Sequence, residues 1–267
     1  MRRLSIALLT LAVAGAQPPA KTEEAAKLSE EIEQSVRWYD VLPEAGAAPL
    51  TPIPVIRWRN VARGQQGEAM MVVWPHNGRP IAMASIYPWA GFMVHEFDSL
   101  SRDNKVTARE EGRVIWSPTT AGVEFNPVPN APKPATSPAE RLRQMKAIAA
   151  EFKATMTGWS ADNSDREELR LLPRPLYRYD HTGTKPEPSL VDGGLFAYVQ
   201  GTDPEVVLVL EAVGTAEKAD WQYALVRATS GGLEVKLGDH VVWTAPKGPA
   251  NRVPTLPHFS MRRPLPK

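Results

Sequence analysis

Apolar and polar positions change their period several times along the chain. From Glu23 to Tyr39, Leu28, Ile32, Val36 and Tyr39 recur at helical spacing with charges between them, which predicts a helix. A second helix is marked at its start. Ser137 is an N-cap, Pro138 takes the first helical position and Glu140 closes a capping box. Leu142, Met145, Ala149, Phe152 and Met156 then supply one apolar stripe. Elsewhere the period falls to two. "AMMVVWPHNGRPIAMASIYPW" reads as a hairpin about Asn77-Gly78, because both turn positions tolerate positive φ. Further hairpins are expected at Glu111-Gly112, at Gly201–Pro204 and at Gly238-Asp239. Leu195–Val199 and Val206–Leu210 are continuous apolar runs, the mark of strands covered on both faces. A helix is expected over one face and another sheet over the second.

The order helix, Pro-rich strand, hairpin, strand, hairpin occurs twice. "TPIPVIRW" and "LPRPLYRY" both read Pro-x-Pro-x-x-Arg-aromatic, with Arg57-Trp58 lying 121 residues before Arg178-Tyr179. Trp38 lies 121 before Trp159, Pro80 lies 124 before Pro204, and Ser101 lies 129 before Ser230. Val114-Ile115-Trp116 lies 127 before Val241-Val242-Trp243. Self-similarity at a nearly fixed period is the sign of repeated units. The expected fold is therefore α+β and mostly β: two similar helix-plus-antiparallel-β-meander units packed as a pseudo-two-fold pair. The expected divisions are 1–16 (leader), 17–126 (first repeat), 127–136 (Pro-rich linker), 137–246 (second repeat) and 247–267 (Pro-rich tail). Proline cannot donate to a ladder, so each Pro-x-Pro strand should begin at an edge or a bulge.

Composition adds a destination. "MRRLSIALLTLAVAGAQ" has a positive start, a short apolar stretch and an Ala-Gly-Ala cleavage site, the three parts of a secretory signal. Cleavage near Ala16 would release a periplasmic or extracellular chain. No cysteine follows the apolar stretch, which excludes a lipid-anchored start, and no later stretch has the length of a transmembrane helix. The chain has no cysteine at all, so it forms no disulfide and offers no thiolate. Its net charge of +1, without a basic cluster, argues against a nucleic-acid partner.

Candidate chemistry is sparse. G-x-S-x-G, H-E-x-x-H and Walker A patterns are absent; Gly183-Thr184-Lys185 lacks its glycine-rich loop, and "GWSAD" at 158–162 lacks the second glycine. "VHEFDS" is the one polar cluster in a strand. Period-two geometry puts His95 and Phe97 on one face and Glu96 and Asp98 on the other. His76 and His240 fall at turns, His181 follows the second Pro-strand, and His258 lies in the Pro-rich tail, expected as a surface strap or a frayed end. Arg57 and Arg178 are either paired anion ligands or structural side chains stacked on their aromatic neighbours; packing is the favoured reading. The binding candidates are Arg57, Trp58, His95, Glu96, Asp98 and Arg178, with no metal and no cofactor expected.

"LRLLPRPLYRY", "DGGLFAYVQGTDPEVVLVLEA", "WQYALVRATSGGLEVKLGDHVVWTAP", "VIRWRN", "VHEFDSLS" and "VTAREEGRVIWSP" together resemble a family of uncharacterised exported proteins of planctomycete-type bacteria. The likeness spans most of the chain beyond the leader. It implies export and one intact module, and no activity. The expected function is a non-catalytic module that binds an unidentified ligand or envelope protein. The alternatives are a periplasmic carrier of lipid or another apolar ligand, and a hydrolase using His95 and Glu96.

Overall fold

The computed structural model describes residues 23–60, 67–157, 165–180, 190–215, 218–248 and 253–265. The leader, Trp159 with the 158–162 stretch, His181 and 183–185 lie outside the described residues. The first half starts with α1 (Glu23–Ser35) and a 3₁₀ turn (Val36–Trp38). It continues with β1 (Tyr39–Leu42), β2 (Ile53–Trp58), β3 (Ala69–His76), β4 (Arg79–Trp89), β5 (Phe92–Ser99), β6 (Thr107–Glu110), β7 (Arg113–Trp116) and β8 (Asn126–Pro127). The helix stops before the expected Tyr39. Ser35 Oγ donates to the Ile32 carbonyl at 2.8 Å, and Val36-Arg37-Trp38-Tyr39 is poor in helix formers. Asn77-Gly78 and Glu111-Gly112 all have positive φ, between 47° and 85°, as the hairpins require. Ala90-Gly91 makes one more such turn without the usual residues, at φ 49° and 80°.

The second half runs α2 (Pro138–Glu151), β9 (Phe152–Thr157), β10 (Arg166–Glu168), β11 (Arg170–Leu171) and β12 (Tyr177–Tyr179). Then come β13 (Leu190–Gln200), β14 (Asp203–Val213), β15 (Asp220–Arg227), β16 (Gly232–Leu237), β17 (His240–Ala245) and β18 (His258–Pro264). Ser137 Oγ accepts from the Glu140 amide at 3.2 Å, so the cap forms as expected. Phe152 and Met156 belong to a strand and not to the helical stripe. A spacing of four residues satisfies both periods, and the alternation Phe152, Ala154, Met156 pairs all of β9 with β16. The strand after the helix therefore begins at Tyr39 in one half and Phe152 in the other, a separation of 113 residues rather than the 121 of the two tryptophans.

All pairings are antiparallel. Each half holds one small and one large sheet. The small sheets are β1-β6-β7 and β10-β9-β16-β17; the large ones are β18-β5-β4-β3-β2 and β11-β13-β14-β15-β8, with β12 also on β13. The Pro-x-Pro strands lie where the missing donors predict: β2 is an edge strand with a bulge between Pro54 and Ile56, and β12 follows Pro175 onto the β13 edge. The last strand of each large sheet comes from elsewhere. β8, at the start of the expected linker, pairs with β15, while β18, in the expected free tail, pairs with β5 along its whole length.

These sheets make layers. Ile32 and Val36 of the first helical segment pack with Met70, Val72, Trp74, Ala84 and Phe97 on the outer face of the first large sheet. Met145, Ile148 and Ala149 pack likewise against Phe196, Tyr198, Leu208 and Leu210. A third cluster joins Trp58, Met71, Val73 and Met83 to Leu195, Val207, Val209 and Val226, so the inner faces of the two large sheets meet. The continuous apolar runs are covered on both sides as expected. Close packing also sets residue size: a Cβ on Gly193 would stand 2.5 Å from the Tyr179 ring. No helix among the described residues is long and apolar enough to cross a membrane.

Candidate functional site

Strand β5 divides its polar residues between two environments. His95 faces outward, towards the first helical layer. Its Nδ1 shares a 3.0 Å hydrogen bond with the Tyr39 hydroxyl, and Trp38 stacks on its ring at 5.9 Å. Burial holds the imidazole neutral, down to about 3, and pushes Tyr39 up to about 12. Glu96 is adjacent in sequence but points to the inner face, as period-two geometry dictates. The sheet stands between the two side chains, so His95 and Glu96 do not share a reaction site.

The inner face of β5 carries an acidic group of side chains. Glu96 is 5% exposed and Asp98 1%. In the ladders Glu96 sits between Ser85 and Ser260, and Asp98 sits between Met83 and His258. His258 Nδ1 bonds Asp98 Oδ1 at 2.6 Å. The tail histidine is thus buried and paired rather than frayed. Asp98 raises the His258 imidazole, and burial raises the Asp98 carboxyl. Glu96 rises to about 7, first through burial and then through the charges of Asp98 and Asp203; Tyr87, hydrogen-bonded to it, is pushed well above its ordinary value. Asp203 and Glu205 of β14 add to this negative field from across the junction. Arg227 of β15 lies close enough to feel Glu96 and Asp98, but its printed bonds go to the carbonyls of Thr229, Gly231 and Pro246 at 2.8–3.3 Å. Ser85 Oγ, Asp98 Oδ2, His258 Nε2 and Trp58 Nε1 are buried without a hydrogen-bond partner. Ser85 lies on the opposite side of β5 from His258 and does not bond it, so no Ser-His-Asp relay forms.

The other end of the junction holds Glu211 of β14, fully buried. Arg79 donates to it twice, at 2.8 and 3.0 Å, and Arg102 once, at 2.6 Å. The Tyr179 hydroxyl donates at 3.0 Å and Gln222 at 2.9 Å. Two guanidinium groups of the first half thus grip one carboxylate of the second, in the bidentate geometry that makes such bonds strong.

Of the residues singled out in the sequence, Trp58, Glu96 and Asp98 face the junction and His95 faces away. Arg57 is a partly exposed edge residue bonded to Glu33 of α1 at 2.6 Å, and Arg178 bonds Asp192 at 2.6 and 3.0 Å and the Pro138 carbonyl at 2.5 Å. Each arginine ties its entry strand to its own half's helix or the adjoining strand, and the two do not converge. Sequence reading missed Tyr87, Ser85, His258, Arg227 and the whole Glu211 cluster. Only the burial of His258 left a trace, in the period-two pattern of "HFSMR". Among the described residues no group of three or more His, Asp and Glu is placed to hold a metal ion. Comparison with family models, curated proteins and solved structures found no match.

Proposed function

We propose that the chain is an exported, non-catalytic binding module, built by duplication, whose ligand site is the acidic end of the junction. One observation carries the site. Ser85, Trp58, Asp98 and His258 bury polar atoms with no partner in the protein, while Glu211 at the other end receives five hydrogen bonds. A buried polar atom without a partner costs about 1–3 kcal/mol. Such atoms gathered beside a buried carboxylate are a debit to folding that a ligand offsets.

Duplication is supported by ladder detail. Arg57 stands opposite Met70 and Arg178 opposite Gly194, each six residues before its hairpin turn. The long hairpins are bulged between Trp74 and Pro75 and between Tyr198 and Val199, both 124 apart. The short hairpins are bulged after Ala108 and Val235, and these pair with Trp116 and Trp243. Bulges are specific local features, so their recurrence at matched positions favours common descent of the halves. The exchanged strands β8 and β18 follow the same rule, each completing the other half's sheet. Export rests on the leader and on the absence of cysteine. The carrier reading needs a chamber between the large sheets, and side chains of both fill that layer. The hydrolase reading needs His95 and Glu96 on one face.

Two measurements test this. Fractionation of the native host should recover the chain outside the cytoplasm with Gln17 at its start; a full-length cytoplasmic chain overturns export. Ser85→Ala combined with Glu96→Gln should leave a folded protein with an unchanged or higher Tm. A protein unfolded by that change would mean that the acidic end serves the fold and not a ligand.

A further inference from the structure

We infer that the acidic end receives an organic cation, an ammonium or guanidinium group carried on an apolar stem. The inference rests on the binding-module reading and names its ligand.

The inner face of β4 and β5 grades from solvent to buried charge in successive cross-strand pairs. Trp89 and Phe92 pair at the hairpin tip and are 41% and 38% exposed. Next inward come Tyr87 and Val94, then Ser85 and Glu96, then Met83 and Asp98. Cross-strand pairs two residues apart lie roughly 7 Å from each other along a strand. A chain of a few methylenes therefore spans from the aromatic tip to the carboxylates. Aromatic faces and a buried carboxylate are together the chemistry that holds alkylammonium groups.

The charges around Glu96 favour a cation. Glu96 and Asp98 come from β5, Asp203 and Glu205 from β14, and Tyr87 from β4 adds a hydroxyl that their field keeps protonated. Against these stand His258, committed to Asp98, and Arg227, bonded to three backbone carbonyls. Arg262 is exposed and opposite Val94, nearer the tip. The buried Ser85 Oγ and Asp98 Oδ2 offer acceptors that no protein donor uses. An anion would meet carboxylates, and a bare metal ion would find no three convergent ligands among the described residues. An uncharged apolar molecule would leave the acceptors unmet.

The test compares three probes with one stem: hexylammonium chloride, sodium hexanoate and hexan-1-ol, titrated calorimetrically into the full mature protein. Hexylammonium should bind saturably at pH 8. Its affinity should fall about tenfold at pH 5.5 as Glu96 takes up its proton, since a charge-assisted contact contributes about a factor of ten or more. Glu96→Gln should remove the pH dependence and most of the affinity, and Trp89→Ala should weaken binding about threefold, the size of an exposed cation–π contact. Equal binding of hexan-1-ol or hexanoate overturns the inference, as does hexylammonium affinity that Glu96→Gln leaves unchanged. A wild-type protein that ignores all three probes, with Glu96→Gln folded, overturns the cation and leaves the binding module standing. A Glu96→Gln protein that does not fold overturns both.

Discussion

The two ends of the junction use equivalent backbone for opposite electrostatics. In the long hairpins Tyr87 holds the ladder place that Glu211 holds in the other half, and Asp203 holds that of Arg79. At one end the result is a carboxylate gripped by two arginines from the opposite half. At the other the result is several carboxylates, one histidine and one arginine that spends its bonds on carbonyls. Paired burial of charge latches the halves together; unpaired burial leaves free energy that a bound partner can recover. The difference teaches which end the fold needs and which end it tolerates.

The largest effect should come from breaking the latch. Glu211→Gln leaves Arg79 and Arg102 facing a neutral amide, and losing one member of a buried pair costs about 3–5 kcal/mol. Urea unfolding should show that loss; a cost under about 1 kcal/mol would place the holding energy in the apolar layer instead. Glu96→Gln should do the reverse. The folded carboxyl is raised to about 7, above its unfolded value, so the native state pays for ionising it. That penalty is absent in acid, grows as pH rises through the window from the ordinary carboxylate range to about 7, and is complete above it. The variant should therefore be more stable than wild type by on the order of 2 kcal/mol at pH 8, with the gain vanishing at pH 4. His95 works in the other direction. Lowered to about 3, it makes the wild type lose stability as pH falls below the ordinary histidine range, and His95→Phe should flatten that acid limb.

The smallest effect compares the twin arginines. Arg178→Ala strips Asp192, which is 2% exposed, of two hydrogen bonds, though Arg141 still bonds it at 2.7 Å. Arg57→Ala removes only exposed bonds to Glu33 and a weaker contact with Glu68. Chemical denaturation should give about 1–2 kcal/mol for the first and under about 1 kcal/mol for the second. Equal costs would mean that the two entry strands are anchored alike.

Several elements could be read directly because their causes are local. Asn77-Gly78 and Glu111-Gly112 turn wherever they occur between alternating runs, and Ser137-Pro138-Ala139-Glu140 caps a helix without help from elsewhere. The continuous apolar runs of β13 and β14 announced two covered faces. Where two local causes coincided, the reading slipped: Phe152 and Met156 fit a helix and a strand equally, and only the partner strand β16 chose between them.

The sequence by itself determined the turns, the helix starts, the alternation that separates His95 from Glu96, and the twofold order of elements. Only the tertiary structure decided what each polar face meets. His258 reaches Asp98 across 160 residues, and Arg79 reaches Glu211 across 132. No periodicity encodes such pairs, because period reports which face a side chain takes and not which chain segment closes over it. The exchange of β8 and β18 between sheets brought the tail histidine to the acidic end, and with it turned a polar strand face into a candidate site.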